Sequence, residues 1–233
     1  MRALCVVHDP TAGVGLIGAA LREQGWQVDE LPVVPAALAG TPNVDVSFPD
    51  SAGYDLLVPL GARWGAYEDA VIGRWLRPEL RWLADAVAGG VAVFGICFGA
   101  QVLARALGGT VARSPQPEIG WVEVESAVPE LIPAGPWFEW HFDRFTMPPG
   151  AVELARNAAA VQAFRIGRSM GVQFHPEVTT DIIRGWVDSD GQQVRDQGLD
   201  PADLLAEADQ QAVAAKKRAE LLVAAYLAQV FAP

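Results

Sequence analysis

Two short stretches carry residue types whose spacing allows covalent chemistry. The first is Gly95-Ile96-Cys97-Phe98-Gly99, set between the β-favouring run Val91-Ala92-Val93-Phe94 and a segment that reads as helix to about Leu107, where Gly108-Gly109 stops it. A cysteine at such a strand-to-helix corner is a candidate nucleophile. Flanking glycines relieve collisions across a sharp turn, the strained corner presents the sulfur, and the first N–H groups of the helix favour the reactive thiolate. A buried structural cysteine beside a tight turn is the competing reading. The second stretch is His175-Pro176-Glu177, after the apolar run ending in Phe174. A thiolate needs an imidazole to shuttle protons, and the chain has three: His8, His141 and His175. In extended geometry His175 and Glu177 project to the same side, so the carboxylate can orient the ring and stabilise its charged form. The bland alternative is a strand-end histidine beside a solvated glutamate.

The elements that must position these residues follow from periodicity. Strand-like and helix-like segments alternate from the start: residues 2–8 strand, 14–24 helix closed by Gly25, 26–31 strand, 55–60 strand, 68–88 helix. From 110 to 174 the pattern changes to short strands broken by Pro and Gly, as in a mixed or antiparallel sheet. Asp200-Pro201 then opens a long helix by capping and by proline at its first position. Leu204, Ala208, Ala212, Ala215, Ala219, Leu222, Tyr226 and Val230 place one apolar stripe along it, to be covered by the same domain or by a partner. The fold class is α/β. The apolar stretch Trp82–Ala100 approaches membrane-span length, but Asp85 and Gly89-Gly90 divide it into helix, turn and buried strand.

Gly95-Ile96-Cys97-Phe98-Gly99-Ala100-Gln101 together with Phe174-His175-Pro176-Glu177-Val178 resembles the paired signature of class I glutamine amidotransferases. Gly61-Ala62, Leu107-Gly108-Gly109, Glu118-Ile119-Gly120-Trp121 and Trp140-His141-Phe142-Asp143 extend the likeness, in order and spacing, to amidotransferase domains of the GMP synthase type. The resemblance implies a flavodoxin-like, mostly parallel central sheet flanked by helices, a small mixed or antiparallel sheet and a long C-terminal helix. It implies domain bounds of 1–185, with a helical extension over 186–233 packed on the same domain. It also implies glutamine hydrolysis to glutamate and ammonia, with Cys97 as nucleophile, His175 as acid and base, and Glu177 orienting His175. Backbone N–H groups of Phe98 and of the Gly61-Ala62 loop would hold the oxyanion, Gln101 would help hold glutamine, and the backbone of Trp140, His141, Phe142 and Asp143 would grip its amino-acid end. Ala62 departs from the family, many members of which have a second glycine there with freer access to positive φ. No cofactor and no metal is implied. A separate synthetase would accept the ammonia, docking on the C-terminal stripe or around His8 and Trp140.

Bulk properties narrow the rest. With 233 residues, 51% hydrophobic and 19% charged, the chain can bury one sizeable core and reads as one domain. A formal net charge of -11 argues against a nucleic-acid surface. Cys5 and Cys97 form neither a disulfide framework nor a metal motif, and with no signal peptide read at the N-terminus a reducing cytoplasm fits. Cys5 reads as a core residue, Trp75 and Trp82 as core packing, His8 as a loop residue, and His141 equally as a substrate contact or a structural histidine. Two further functions compete: a γ-glutamyl hydrolase using the same Cys-His pair, and a non-catalytic regulatory subunit. Related Cys-elbow chaperones and peptidases often carry His directly after the nucleophile, where this chain has Phe98.

Overall fold

The computed structural model describes residues 1–231. In chain order it runs β1 (Arg2–Val7), α1 (Gly15–Glu23), β2 (Gln27–Pro32), β3 (Leu56–Pro59), α2 (Asp69–Ala88), β4 (Ala92–Ile96) and α3 (Phe98–Ala106). There follow β5 (Val111–Glu123), β6 (Glu125–Ser126), β7 (Pro136–Phe145), β8 (Val152–Arg156), β9 (Val161–Ile166), β10 (Ser169–Val172), α4 (Thr180–Asp196) and α5 (Pro201–Phe231). An eight-stranded sheet has the order β2-β1-β3-β4-β10-β9-β8-β6, and β5 and β7 form a separate antiparallel pair. Strands β2, β1, β3, β4 and β10 are mutually parallel, while β9, β8 and β6 extend the sheet antiparallel. This is the α/β architecture that the resemblance implied, a mostly parallel central sheet flanked by helices with a small antiparallel pair beside it.

Two-residue alternation divides the core. Ala3 and Cys5 of β1, with Leu56, Val58, Phe94 and Ile96, face α1 and the C-terminal half of α5. Leu4 and Val6, with Leu57 and Val93, face α2 and α3 through Ile72, Trp75, Leu76, Val102 and Leu103. Strands covered on both faces read as unbroken apolar runs, which is why Leu56–Pro59 and Ala92–Ile96 are entirely buried. Crossover connections bring the C-terminal ends of β1, β3, β4 and β10 to one edge, the place where open parallel sheets build sites.

The expected boundary at 185/186 falls inside α4. Thr179 caps α4 by accepting from the Ile182 N–H at 3.3 Å. The helix is kinked at Asp190, where φ is -129° and ψ is 17°. Ile183 and Val194 of α4 pack with Leu204 and Ala208 of α5 and Phe138 of β7. On α5 the apolar stripe is buried except at Ala212, which is exposed, and Val230, which is only half-buried. Among the described residues no helix is long and apolar enough to cross a membrane.

Candidate active site

Cys97 ends β4 and precedes α3 with φ 49° and ψ -109°, the one non-glycine positive φ among the described residues. That conformation is costly for a side-chain-bearing residue and persists because its surroundings dictate it. A Cβ at Gly99 would lie 1.9 Å from the Pro59 carbonyl oxygen, and one at Gly95 would lie 2.6 Å from the Gly99 carbonyl oxygen. Only glycine permits this packing of corner against β3. The Cys97 N–H donates to the Val172 carbonyl at 2.8 Å, pinning the corner to β10.

The turn after β10 brings the second stretch against it. His175 donates its backbone N–H to the Phe138 carbonyl at 2.8 Å, and its Nδ1 donates to Glu177 Oε1 at 2.7 Å. Both side chains are buried. With Nδ1 engaged, Nε2 is the ring nitrogen without a partner among the described residues, and the ring lines one cavity together with Cys97. Burial opposes a charge on this ring, but the Glu177 carboxylate and Cys97 outweigh it and hold the imidazole well above its usual range. Trp186 of α4 closes the outer side, edge-on to His175 at 4.9 Å between ring centres.

The cavity is about 450 Å³ and opens to solvent. Its walls include all the residues expected there apart from Glu177, which lies behind His175: Gly61, Ala62, Cys97, Phe98, Gln101, Trp140, His141, Phe142, Asp143 and His175. The N–H groups of Gly61, Ala62 and Phe98 meet no protein acceptor among the described residues. Neither Gly61 nor Ala62 takes a positive φ, so the alanine carries no strain in this conformation. At the mouth, Arg63 donates to Asp9 at 2.5 Å and lies 3.7 Å from Asp190, tying the loop after β3 to the kink of α4.

Deeper contacts depart from the sequence reading. Gln101 donates to the Asp143 carbonyl at 3.3 Å and to Gln173 Oε1 at 3.2 Å, so its amide nitrogen is already engaged. Since that carbonyl can only accept, the order of the chain is set, and Gln173 Nε2 donates to Cys97 Sγ at 3.6 Å. Sequence reasoning misses Gln173, although it stands two positions before His175 in a run otherwise apolar. His141 is a structural centre as well as a wall: its Nδ1 donates to the Asp143 carbonyl at 3.0 Å and its Nε2 to Glu118 at 3.1 Å. Glu139 Oε2 lies 3.4 Å from the same nitrogen, without hydrogen-bond alignment. Burial disfavours the charged ring, yet Glu118 and Glu139 prevail and push His141 up to about 10. Burial raises Glu139 in turn. His8 lies in the loop just past β1, as expected, but it is fully buried and paired with Glu79, so it presents no surface to a partner. Cys5 lies in the core, where burial pushes its thiol up to about 12.

A family model described as "Glutamine amidotransferase class-I" matches residues 76–182. A glutamine-hydrolysing GMP synthase from Aeropyrum pernix is 32% identical over 188 residues, which are 74% of this chain and 33% of that one. The chain thus spans about a third of the length of that relative. One subunit of a glutamine-hydrolysing GMP synthase from Sulfurisphaera tokodaii is 39% identical over 93 residues, 36% of this chain and 50% of that one. The crystal structure of a glutamine amidotransferase from Thermotoga maritima superposes with a TM-score of 0.82 at 27% identity, covering 97% of this chain and 98% of that one. A strained cysteine corner beside a His-Glu pair, on a fold and a sequence shared with these proteins, places the chain in the class I glutamine amidotransferase family, where it resembles the amidotransferase domain of GMP synthase.

Proposed function

We propose that the chain hydrolyses glutamine to glutamate and ammonia through a thioester on Cys97. The observation that carries this reading is the convergence of the strained Cys97 corner with a His175 ring held by Glu177 at 2.7 Å, in one cavity of about 450 Å³. Cys97 sulfur attacks the side-chain amide carbon, and the carbon–oxygen π pair moves to oxygen. Free N–H groups of Phe98, Gly61 and Ala62 are suited to receive that charge. As the carbon–nitrogen bond breaks, His175 gives its proton to the nitrogen and ammonia leaves. The ring then takes a proton from water, which attacks the thioester; the carbon–sulfur bond breaks with its electron pair returning to the Cys97 sulfur, and glutamate leaves. Gln173 supports the sulfur with an N–H throughout. At the far wall, Asp143, bonded by Tyr67 at 3.1 Å, and Arg113 offer opposite charges to a zwitterionic amino acid.

Glutamine turnover by purified variants tests this. Cys97→Ser is expected to abolish activity, and His175→Ala to lower it by about a hundredfold or more. Glu177→Ala, which removes only orientation and charge support, leaves more activity than His175→Ala. A glutamine-mimicking diazo-ketone labels Cys97 once. Labelling at Cys5 with Cys97 free and turnover retained would refute the assignment.

Ammonia released to neutral water is protonated and loses its nucleophilicity, so we further propose delivery to an acceptor on a synthetase. The subunit designation of the Sulfurisphaera tokodaii relative supports a separate chain in that role. Purification from native cells should recover a stoichiometric companion that raises glutamine turnover. A lone chain working at full rate, indifferent to every cell fraction, would leave a free-standing hydrolase.

A further inference from the structure

His8 and Glu79 form a buried ionisable pair that the chemistry above does not use. Both side chains have 0% exposure, and His8 Nε2 lies 2.8 Å from Glu79 Oε1. The ring stacks on Trp75 at 5.5 Å and meets Phe98 edge-on at 4.9 Å. Burying two such groups is expensive unless their polar atoms are engaged, so the remaining ring nitrogen indicates what the pair does. His8 Nδ1 donates to the Leu60 carbonyl at 3.0 Å, and the Gly99 N–H donates to the same oxygen at 3.1 Å.

The Leu60 carbonyl and the Gly61 N–H belong to one peptide unit, which is planar and trans, so the two groups point in opposite directions. Two donors fixing the oxygen therefore fix the direction of the N–H. That N–H has no protein acceptor among the described residues. It belongs to the residue whose Cβ, if present, would lie 3.1 Å from His175 Cε1 and 3.9 Å from Cys97 Cβ. We propose that His8, held by Glu79, is a positioning residue that locks the Leu60–Gly61 peptide with its N–H toward the oxyanion formed when Cys97 attacks. Hydrogen bonds to the carbonyl also polarise the peptide and strengthen its N–H as a donor. This rests on the reading of Cys97 as the nucleophile.

The test separates reactions that form an oxyanion from one that does not. Glutamine hydrolysis passes through a tetrahedral oxyanion, whereas iodoacetamide alkylates the sulfur by direct displacement with iodide leaving. In the full chain, His8→Phe keeps an aromatic ring against Trp75 and removes the donor. Its kcat is expected to fall about tenfold to a hundredfold, with KM for glutamine within about twofold and the rate of Cys97 alkylation unchanged. His8→Asn, which restores an N–H near the Nδ1 position, recovers most of the loss. Glu79→Gln keeps a partner for Nε2 and gives a smaller fall in kcat, carrying the test if His8→Phe does not fold. An unchanged kcat in the folded variants overturns the proposal, as does a fall in kcat matched by an equal fall in alkylation. Wild-type chain without Cys97-dependent glutamine turnover overturns the nucleophile assignment itself, and this inference with it.

Discussion

Local spacing made the candidate site residues readable, because a cysteine between two glycines at a strand end and a His-x-Glu pair are patterns within a few positions of each other. Contacts between distant positions left no such trace. His8 and Glu79 are 71 positions apart, and His141 meets Glu118 across 23. Each of these residues taken alone looks like a loop, helix or strand residue. Folding makes His141 the most legible titration in the molecule. Its pKa of about 10 in the fold exceeds the usual histidine value of about 6.5, so the folded state holds the proton more tightly than the unfolded chain. The resulting stabilisation is complete below the unfolded value and is lost as pH rises through the folded one. Urea unfolding from pH 7 to 10 should therefore show wild-type stability falling more steeply than that of His141→Gln, by up to about 1.4 kcal/mol per pH unit. His175, also raised, acts alike in both proteins and cancels in the comparison. Parallel curves would show that His141 is not the proton holder.

Among the elements, the parallel strands and α1 to α3 were legible to within one or two residues, since apolar runs and glycine stops mark them. Helix α4 was not. Its sequence from Thr180 to Asp196 is polar, contains Gly185 and Gly191, and buries only Ile183, Gly191 and Val194, so no apolar stripe announces it. Yet α4 supplies Trp186 against His175 and Asp190 at the cavity mouth, both beyond the residues the family model matches. The start of α1 bears on the site more tightly still. Gly15 has φ +42°, a Cβ there would lie 1.9 Å from the Glu177 carbonyl oxygen, and the Leu16 N–H donates to that oxygen at 2.8 Å. Gly15→Ala must push the His175-Pro176-Glu177 turn away, costing about 1–3 kcal/mol on top of the left-handed strain of about 1–2 kcal/mol, and lowering kcat. Gly25→Ala is the control: its φ is +79° but a Cβ meets nothing within 4 Å. It should cost only the left-handed strain of about 1–2 kcal/mol and leave turnover unchanged. Equal turnover in the two variants would mean that the turn is not seated on α1.

At the scale of the whole molecule, α5 decides whether the chain behaves as one unit. Its apolar stripe was visible from the sequence, but periodicity names a buried face without naming what covers it. In the structure Leu222, Val223, Tyr226 and Leu227 join the core cluster of β1, β3 and β4, while Leu204 and Ala208 support α4 behind the cavity. Tyr226 is the deepest tie. Its ring packs on Phe94 at 5.2 Å, and its hydroxyl lies 2.9 Å from the Arg168 carbonyl and 3.3 Å from that of Val93. Burial pushes the phenol up, so it stays a neutral donor. Tyr226→Phe keeps the ring and strips the hydroxyl from two carbonyls, for an expected loss of about 1–2 kcal/mol. Tyr226→Ala also opens a cavity across the central sheet, for an expected loss of about 3–5 kcal/mol. Urea unfolding followed by far-UV circular dichroism, which sees α5, and by tryptophan fluorescence, whose eight reporters all lie outside α5, checks both magnitude and cooperativity. If α5 is integral, both probes shift together to lower urea in one transition. Separate transitions, with helix lost before fluorescence changes, would make α5 a detachable arm whose stripe is free for another chain.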